Sequence, residues 1–139
     1  MHVLECMRAE EEVEITGRLE IDPSIYAGTW LTTNSETRGI VKMIVEPRGG
    51  HLMVRTFGAC SPEPCDWGET VGVVFADGAL SAKALAFSAS YDFGFMETHL
   101  QAKIKKGVLV VAGFNSFKDD SGRSNYFSRE FFYRPDETK

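Results

Sequence analysis

Two cysteines five residues apart carry the sharpest chemistry in the chain. Cys60 and Cys65 lie in the segment Gly58-Ala59-Cys60-Ser61-Pro62-Glu63-Pro64-Cys65-Asp66-Trp67-Gly68. Such a pair can close a small disulfide loop in an oxidising compartment, remain as thiols flanking a stiff turn in a reducing one, or donate two ligands to a metal. A tetrahedral metal site needs two further donors. The nearest histidine is His51 and there is no second cysteine pair, so no metal is expected. In an oxidising setting Cys60 and Cys65 are the natural partners, with Cys6 left over. Asp66 is placed to accept backbone N–H bonds and Gly68 to take a positive φ. Trp67 either caps one end of the fold or forms a ligand platform there.

Acid–base chemistry has one candidate pair. Glu97 and His99 fall on the same side of one strand. The alternation of Glu97, His99, Gln101, Lys103 and Lys105 against Leu100, Ala102 and Ile104 is explained equally by a solvated outer face. The sequence holds no Gly-x-Ser-x-Gly, no phosphate loop and no dinucleotide fingerprint. No catalytic residue is assigned and no cofactor is expected.

Strands must position these groups. Alternation from Glu12 to Ile21 predicts a half-buried strand before the Asp22-Pro23-Ser24 break. Residues 29–33, 40–46, 51–57, 69–76, 79–91, 95–105, 108–117 and 125–134 form further β-rich runs. Turn signals at Pro47-Arg48-Gly49-Gly50, Asp77-Gly78 and Lys106-Gly107 separate several of them. No segment sustains a helical apolar period. Eight strands joined by short turns make a meander, and closing it removes the exposed edges. The expected fold is all-β: a roughly eight-stranded antiparallel up-and-down barrel over residues 28–135. Residues 1–27 form an N-terminal extension with one strand, and 136–139 a charged tail.

At 139 residues, with 43% hydrophobic and 25% charged side chains, the chain is one domain able to bury its own core. A net charge of −5 argues against a nucleic-acid partner. No apolar run approaches the ~20 residues of a membrane helix, and no secretory signal is visible, so no membrane partner and a cytoplasmic location are expected. Ten Phe, four Tyr and two Trp suggest an aromatic core, a lined cavity or a subunit interface. Ala82, Ala84, Ala86, Ser88 and Ser90 put small side chains on one face of their run, with Lys83, Leu85, Phe87, Ala89 and Tyr91 on the other. A small face turned inward would leave room for a ligand, and one turned outward would suit subunit packing; the inward orientation is favoured. Phe114, Phe117, Phe127, Phe131 and Tyr133 would then line or fill the interior.

Gly28-Thr29-Trp30, at the entry to the first barrel strand, resembles the Gly-x-Trp entry of the lipocalin and avidin-like (calycin) barrels. The resemblance implies that Trp30 closes the barrel base beneath an arginine from the last strand. Arg129 and Arg134 lie in or at the end of that strand, and Arg129 is assigned the role. Thr37-Arg38-Gly39-Ile40, with the Cys60 to Gly68 segment, also resembles a pattern in small uncharacterised bacterial β-domains; that likeness implies no reaction. The expected function is non-catalytic binding of a small, largely apolar molecule in the barrel mouth. Trp67, Asp66, Phe57, Tyr91, Phe114 and Tyr126 are the candidate ligand-binding residues. The alternatives are a cyclase or isomerase working inside the barrel and a homo-oligomeric interaction module.

Overall fold

The computed structural model describes residues 20–49 and 51–135. Among the described residues a 3₁₀ turn, Ser24–Tyr26, precedes eight strands: β1 (Gly28–Thr32), β2 (Ile40–Arg48), β3 (His51–Gly58), β4 (Cys65–Ala76), β5 (Ala84–Asp92), β6 (Met96–Lys105), β7 (Val108–Phe117) and β8 (Tyr126–Tyr133). Each strand pairs antiparallel with the next, and β8 returns to β1 to complete a closed up-and-down barrel. Most of the strand expected over residues 12–21 lies outside the described residues, as does the 136–139 tail; Glu20 and Ile21 are not in a strand.

Turn chemistry explains the hairpins. β6 and β7 pair along their whole length, from Met96 opposite Phe117 to Lys105 opposite Val108. Lys106 and Gly107 between them take φ of 52° and 81°, the left-handed pair that a two-residue hairpin needs. Two strand limits differ from the sequence reading. β5 begins at Ala84, because residues 77–83 form a loop closed by the Asp77 N–H donating to the Lys83 carbonyl at 3.2 Å. β4 begins at Cys65, because a register shift opposite Arg55 and Phe57 absorbs extra residues without ending the strand.

The wall closes unevenly. β1 meets β8 only at Leu31 opposite Tyr133 and Thr32 opposite Phe132, extended by the Thr33 N–H to the Phe131 carbonyl at 3.0 Å. Beyond Thr33 the chain leaves the wall, so Tyr126 to Glu130 of β8 have no β1 partner.

One end of the barrel is packed shut. Trp30, Met43, Leu52, Val54, Phe87, Leu109 and Phe132 are buried there. Full burial of each such side chain contributes on the order of 2 kcal/mol. The 3₁₀ turn lies across this end, with the Tyr26 ring edge-on to Phe87 at 5.0 Å. The Trp30 indole N–H donates to the Tyr26 carbonyl at 2.9 Å. Arg134 lies 4.2 Å from the Trp30 ring centroid and donates to the carbonyls of Ile25 and Ala27, both at 2.9 Å. The arginine over Trp30 is therefore Arg134 and not Arg129. Arg129 sits 5.6 Å from the Phe131 ring on the outer surface, because alternation turns it away from the lumen.

Side-chain alternation overturns two further expectations. In β5 the inward residues are the large ones, Phe87 and Tyr91, with Ala89 between them; Ser88 and Ser90 face outward. The lumen is filled by rings and the small face lies outside. In β8 the inward set is Ser128, Glu130 and Phe132, while Phe127, Phe131 and Tyr133 are exposed. Phe114 of β7 is exposed as well and packs its ring against Phe127 at 5.2 Å.

Candidate functional site

The end opposite Trp30 is built from different material. Thr98 and Asn115 are buried inward-facing residues of β6 and β7. The Thr98 hydroxyl donates to the Asn115 Oδ1 at 2.8 Å, and the Asn115 amide donates to the Tyr126 carbonyl at 3.3 Å. Ser128 and Glu130 continue the polar lining on β8, and these groups surround a cavity of about 170 Å³. Ile40, Met96 and Leu100 supply its apolar wall, and Arg38 stands exposed on its rim. Known small-molecule sites span roughly 300–1,000 Å³, so this cavity is smaller than most and has room only for a very small molecule.

Glu130 occupies the gap in the wall. One carboxylate oxygen accepts from the Thr37 hydroxyl and the other from the Ile40 N–H at 2.8 Å. These two bonds tie β8 to the β1–β2 loop where the β1 ladder has ended. Gly39 is needed for the approach, since a Cβ there would lie 2.5 Å from a Glu130 oxygen.

The Cys-Pro segment forms part of the mouth. Cys60 and Cys65 are joined by a disulfide, with Cα atoms 5.5 Å apart, and Cys60 contributes to the cavity lining. The loop between them includes the cis Ser61–Pro62 peptide. Asp66 accepts the Gly68 N–H at 2.8 Å, and Gly68 takes φ of 88°. The strand irregularity at Trp67–Gly68 turns the indole inward while Asp66 faces out. Trp67 packs edge-on against Tyr91 at 5.4 Å and Phe93 at 5.2 Å. Gly58 makes room for it, since a Cβ there would lie 2.7 Å from the indole nitrogen. Behind Trp67, the buried Tyr91 hydroxyl sits 3.1 Å from the Val54 carbonyl, 3.1 Å from Thr56 Oγ1 and 2.9 Å from the Gly68 carbonyl. Burial pushes its ionisation above the usual phenol range.

The structure brings together two of the six candidate ligand residues, Trp67 and Tyr126, in the cavity lining. Tyr91 supports Trp67 from behind. Phe57, Asp66 and Phe114 are elsewhere. Phe57 lies on the outside, with Lys42 at 4.6 Å and Arg55 at 5.5 Å from its ring. Asp66 is exposed and forms an ion pair with Arg55. That guanidinium, with the Gly68 N–H, holds the Asp66 carboxyl below the usual range. Glu130, Asn115, Thr98 and Ser128 went unrecognised in the sequence. The available signal is the polar face of β8, Ser128 and Glu130, which alternates with the aromatic face expected to line or fill the interior.

His99 lies on the outer surface. Its Nδ1 is 2.7 Å from the Ser90 hydroxyl oxygen and its Nε2 is 4.0 Å from Glu97. Lys118 bridges Asp92 at 2.8 Å and Glu97 at 3.6 Å beside it. This is a solvated cross-strand network, and Ser90 and His99 border an open hollow of about 510 Å³ on the outer surface with Phe75, Ser88 and Gln101. Among the described residues no group of three or more His, Cys, Asp or Glu could hold a metal ion, and no helix is long and apolar enough to cross a membrane.

No protein-family model matches the sequence, and neither a curated protein nor a solved structure shows significant similarity to it.

Proposed function

We propose that this protein binds a small molecule in the open end of its barrel and carries out no chemistry on it. The observation that supports this most is the asymmetry of the lumen: apolar rings fill one end, whereas the other keeps a cavity ringed by Thr98, Asn115, Ser128 and Glu130. The polar groups of the lining keep hydrogen-bonding capacity that the wall does not use, the Ser128 hydroxyl among them, and ordered water or a ligand can take it up. The polar lining shifts the expected ligand from largely apolar to one with a polar group and a short apolar body. The same lining bears on the cyclase or isomerase reading. Both Glu130 oxygens already accept hydrogen bonds from the wall, which suits bracing and binding better than proton transfer. A second reading, self-association, draws support from exposed apolar side chains on two outer faces: Val71, Val73 and Phe75 of β4, and Phe127, Phe131 and Tyr133 of β8.

Native mass spectrometry of protein from its own source tests both readings. A co-purifying small molecule, lost on Ser128→Phe, is the expected result. Protein without bound molecule, insensitive to Ser128→Phe in every ligand screen, would remove the binding reading. A defined oligomer without ligand would favour self-association.

A further inference from the structure

We infer that the molecule held in the barrel mouth is a small organic ammonium ion, with the Glu130 carboxylate as its counter-charge. This rests on the reading of the mouth as a ligand site and adds the sign of the ligand's charge. Among the described residues Glu130 brings the one carboxylate to the cavity lining, and its two hydrogen bonds, from Thr37 and Ile40, use one lone pair on each oxygen. A carboxylate offers about four acceptor positions, so each oxygen keeps one free. Around it the lining offers further acceptors. The Ser128 hydroxyl makes no hydrogen bond to any described residue, and Thr98 donates its proton to Asn115, which leaves its oxygen available. An ammonium supplies up to three donors and no acceptor, and matches such a set.

Charge and shape agree with this choice. An anion entering a cavity with a carboxylate in its wall meets repulsion strengthened by the reduced local dielectric. Arg38, the remaining charged side chain of the lining, is exposed at the rim, where water screens it. Trp67, Ile40, Met96 and Leu100 give a short alkyl body somewhere to pack.

The experiment uses three probes of matched size: n-butylammonium, n-butanol and butyrate, titrated into the full chain by calorimetry at neutral pH and fixed ionic strength. The expected result is that butylammonium binds at least tenfold more tightly than butanol and that butyrate does not bind. Glu130→Gln should bring butylammonium and butanol to within about twofold of each other. Butanol binding as well as butylammonium, or an ammonium preference that survives in Glu130→Gln, overturns the charge assignment while leaving the cavity as a binding site. Probe binding unaffected by Ser128→Phe, or no binding of any probe, overturns the site together with the charge. The wild-type series decides the charge preference by itself, so the test stands even where Glu130→Gln does not fold.

Discussion

Two buried tyrosines distinguish the ends of this barrel. Tyr26, in the turn across the closed end, has no exposed surface, and among the described residues its hydroxyl has no hydrogen-bond partner. Tyr91, at the open end, places its hydroxyl within reach of Val54, Thr56 and Gly68. The closed end is held mainly by buried area, with rings packed beside Trp30 and Arg134, and its hydrogen bonds, from the Trp30 indole and the Arg134 guanidinium, fasten the 3₁₀ turn over it. The open end is held by hydrogen bonds, from the Tyr91 hydroxyl, the Thr98–Asn115 pair and the Glu130 clasp. Directional bonds can keep a wall in place around empty volume, which close packing cannot. The difference between the ends is the physical basis for locating a ligand at only one of them.

The largest break in that comparison should come at the closed end. Trp30→Ala removes a fully buried indole, the N–H bond to the Tyr26 carbonyl and the surface on which Arg134 lies. Large-to-small changes of this kind cost about 3–5 kcal/mol. Denaturant unfolding should show that loss with the ligand cavity still present in whatever fraction stays folded. A loss under about 1 kcal/mol would mean that the 3₁₀ turn and Arg134 do not depend on Trp30.

Opening the Cys60–Cys65 disulfide should have the next largest effect, confined to the other end. The bridge closes a loop with a sequence separation of 5. Chain-entropy reasoning gives about 2 kcal/mol for so short a loop. A Cys60→Ser, Cys65→Ser double variant should lose about that much stability and show faster hydrogen exchange around Trp67 and Gly58, with Leu109 and Phe132 still protected. Uniform loss of protection across the barrel would show that the two ends unfold as one unit.

The tyrosines themselves give an effect of opposite sign at the two ends. Tyr91→Phe leaves Thr56 and the Gly68 carbonyl short of a partner and should cost about 1–2 kcal/mol. Tyr26→Phe removes a buried hydroxyl that has no partner and should be neutral or stabilising by up to about 1 kcal/mol. Paired thermal melts read both. Destabilisation by Tyr26→Phe equal to that of Tyr91→Phe would refute the claim that the Tyr26 hydroxyl adds nothing to the closed end.

Much of this was legible in the chain. Alternation and turn residues gave the closed meander, since strand pairing and two-residue turns are local matters. Trp30 as the closing residue came from the resemblance of Gly28-Thr29-Trp30 to a Gly-x-Trp barrel entry. The faces were harder. Alternation separates a strand into two sides without saying which is inside, and in β8 the aromatic side was taken for the lumen. The lumen near the mouth is polar, so Phe127 and Phe131 go outside and Ser128 and Glu130 go in. Glu130 owes its meaning to Ile40, 90 residues earlier, and nothing local to it signals that contact. The inward turn of Trp67 depends on a strand irregularity opposite Arg55 and Phe57, which sequence periodicity hides.

The smallest expected effect lies on the outside of the open end, and it separates charge from hydrogen bonding. Asp66 pairs with Arg55 and also accepts the Gly68 N–H. Its carboxyl is held below the usual range, first by the Arg55 hydrogen bond and then by Gly68. A depressed folded pKa contributes stability that is present above the unfolded value and is lost as pH falls through the folded one. Asp66→Asn keeps an acceptor for the Gly68 N–H and removes only the charge. The variant should therefore be slightly less stable than wild type at neutral pH and low salt. The gap should close in high salt, because both side chains are exposed, and close again in acid below the carboxylate range. A gap that persists in acid would mean that the Asn cannot hold the turn at Gly68 as Asp does, and that this corner too belongs to the hydrogen-bonded architecture of the mouth rather than to its surface charge.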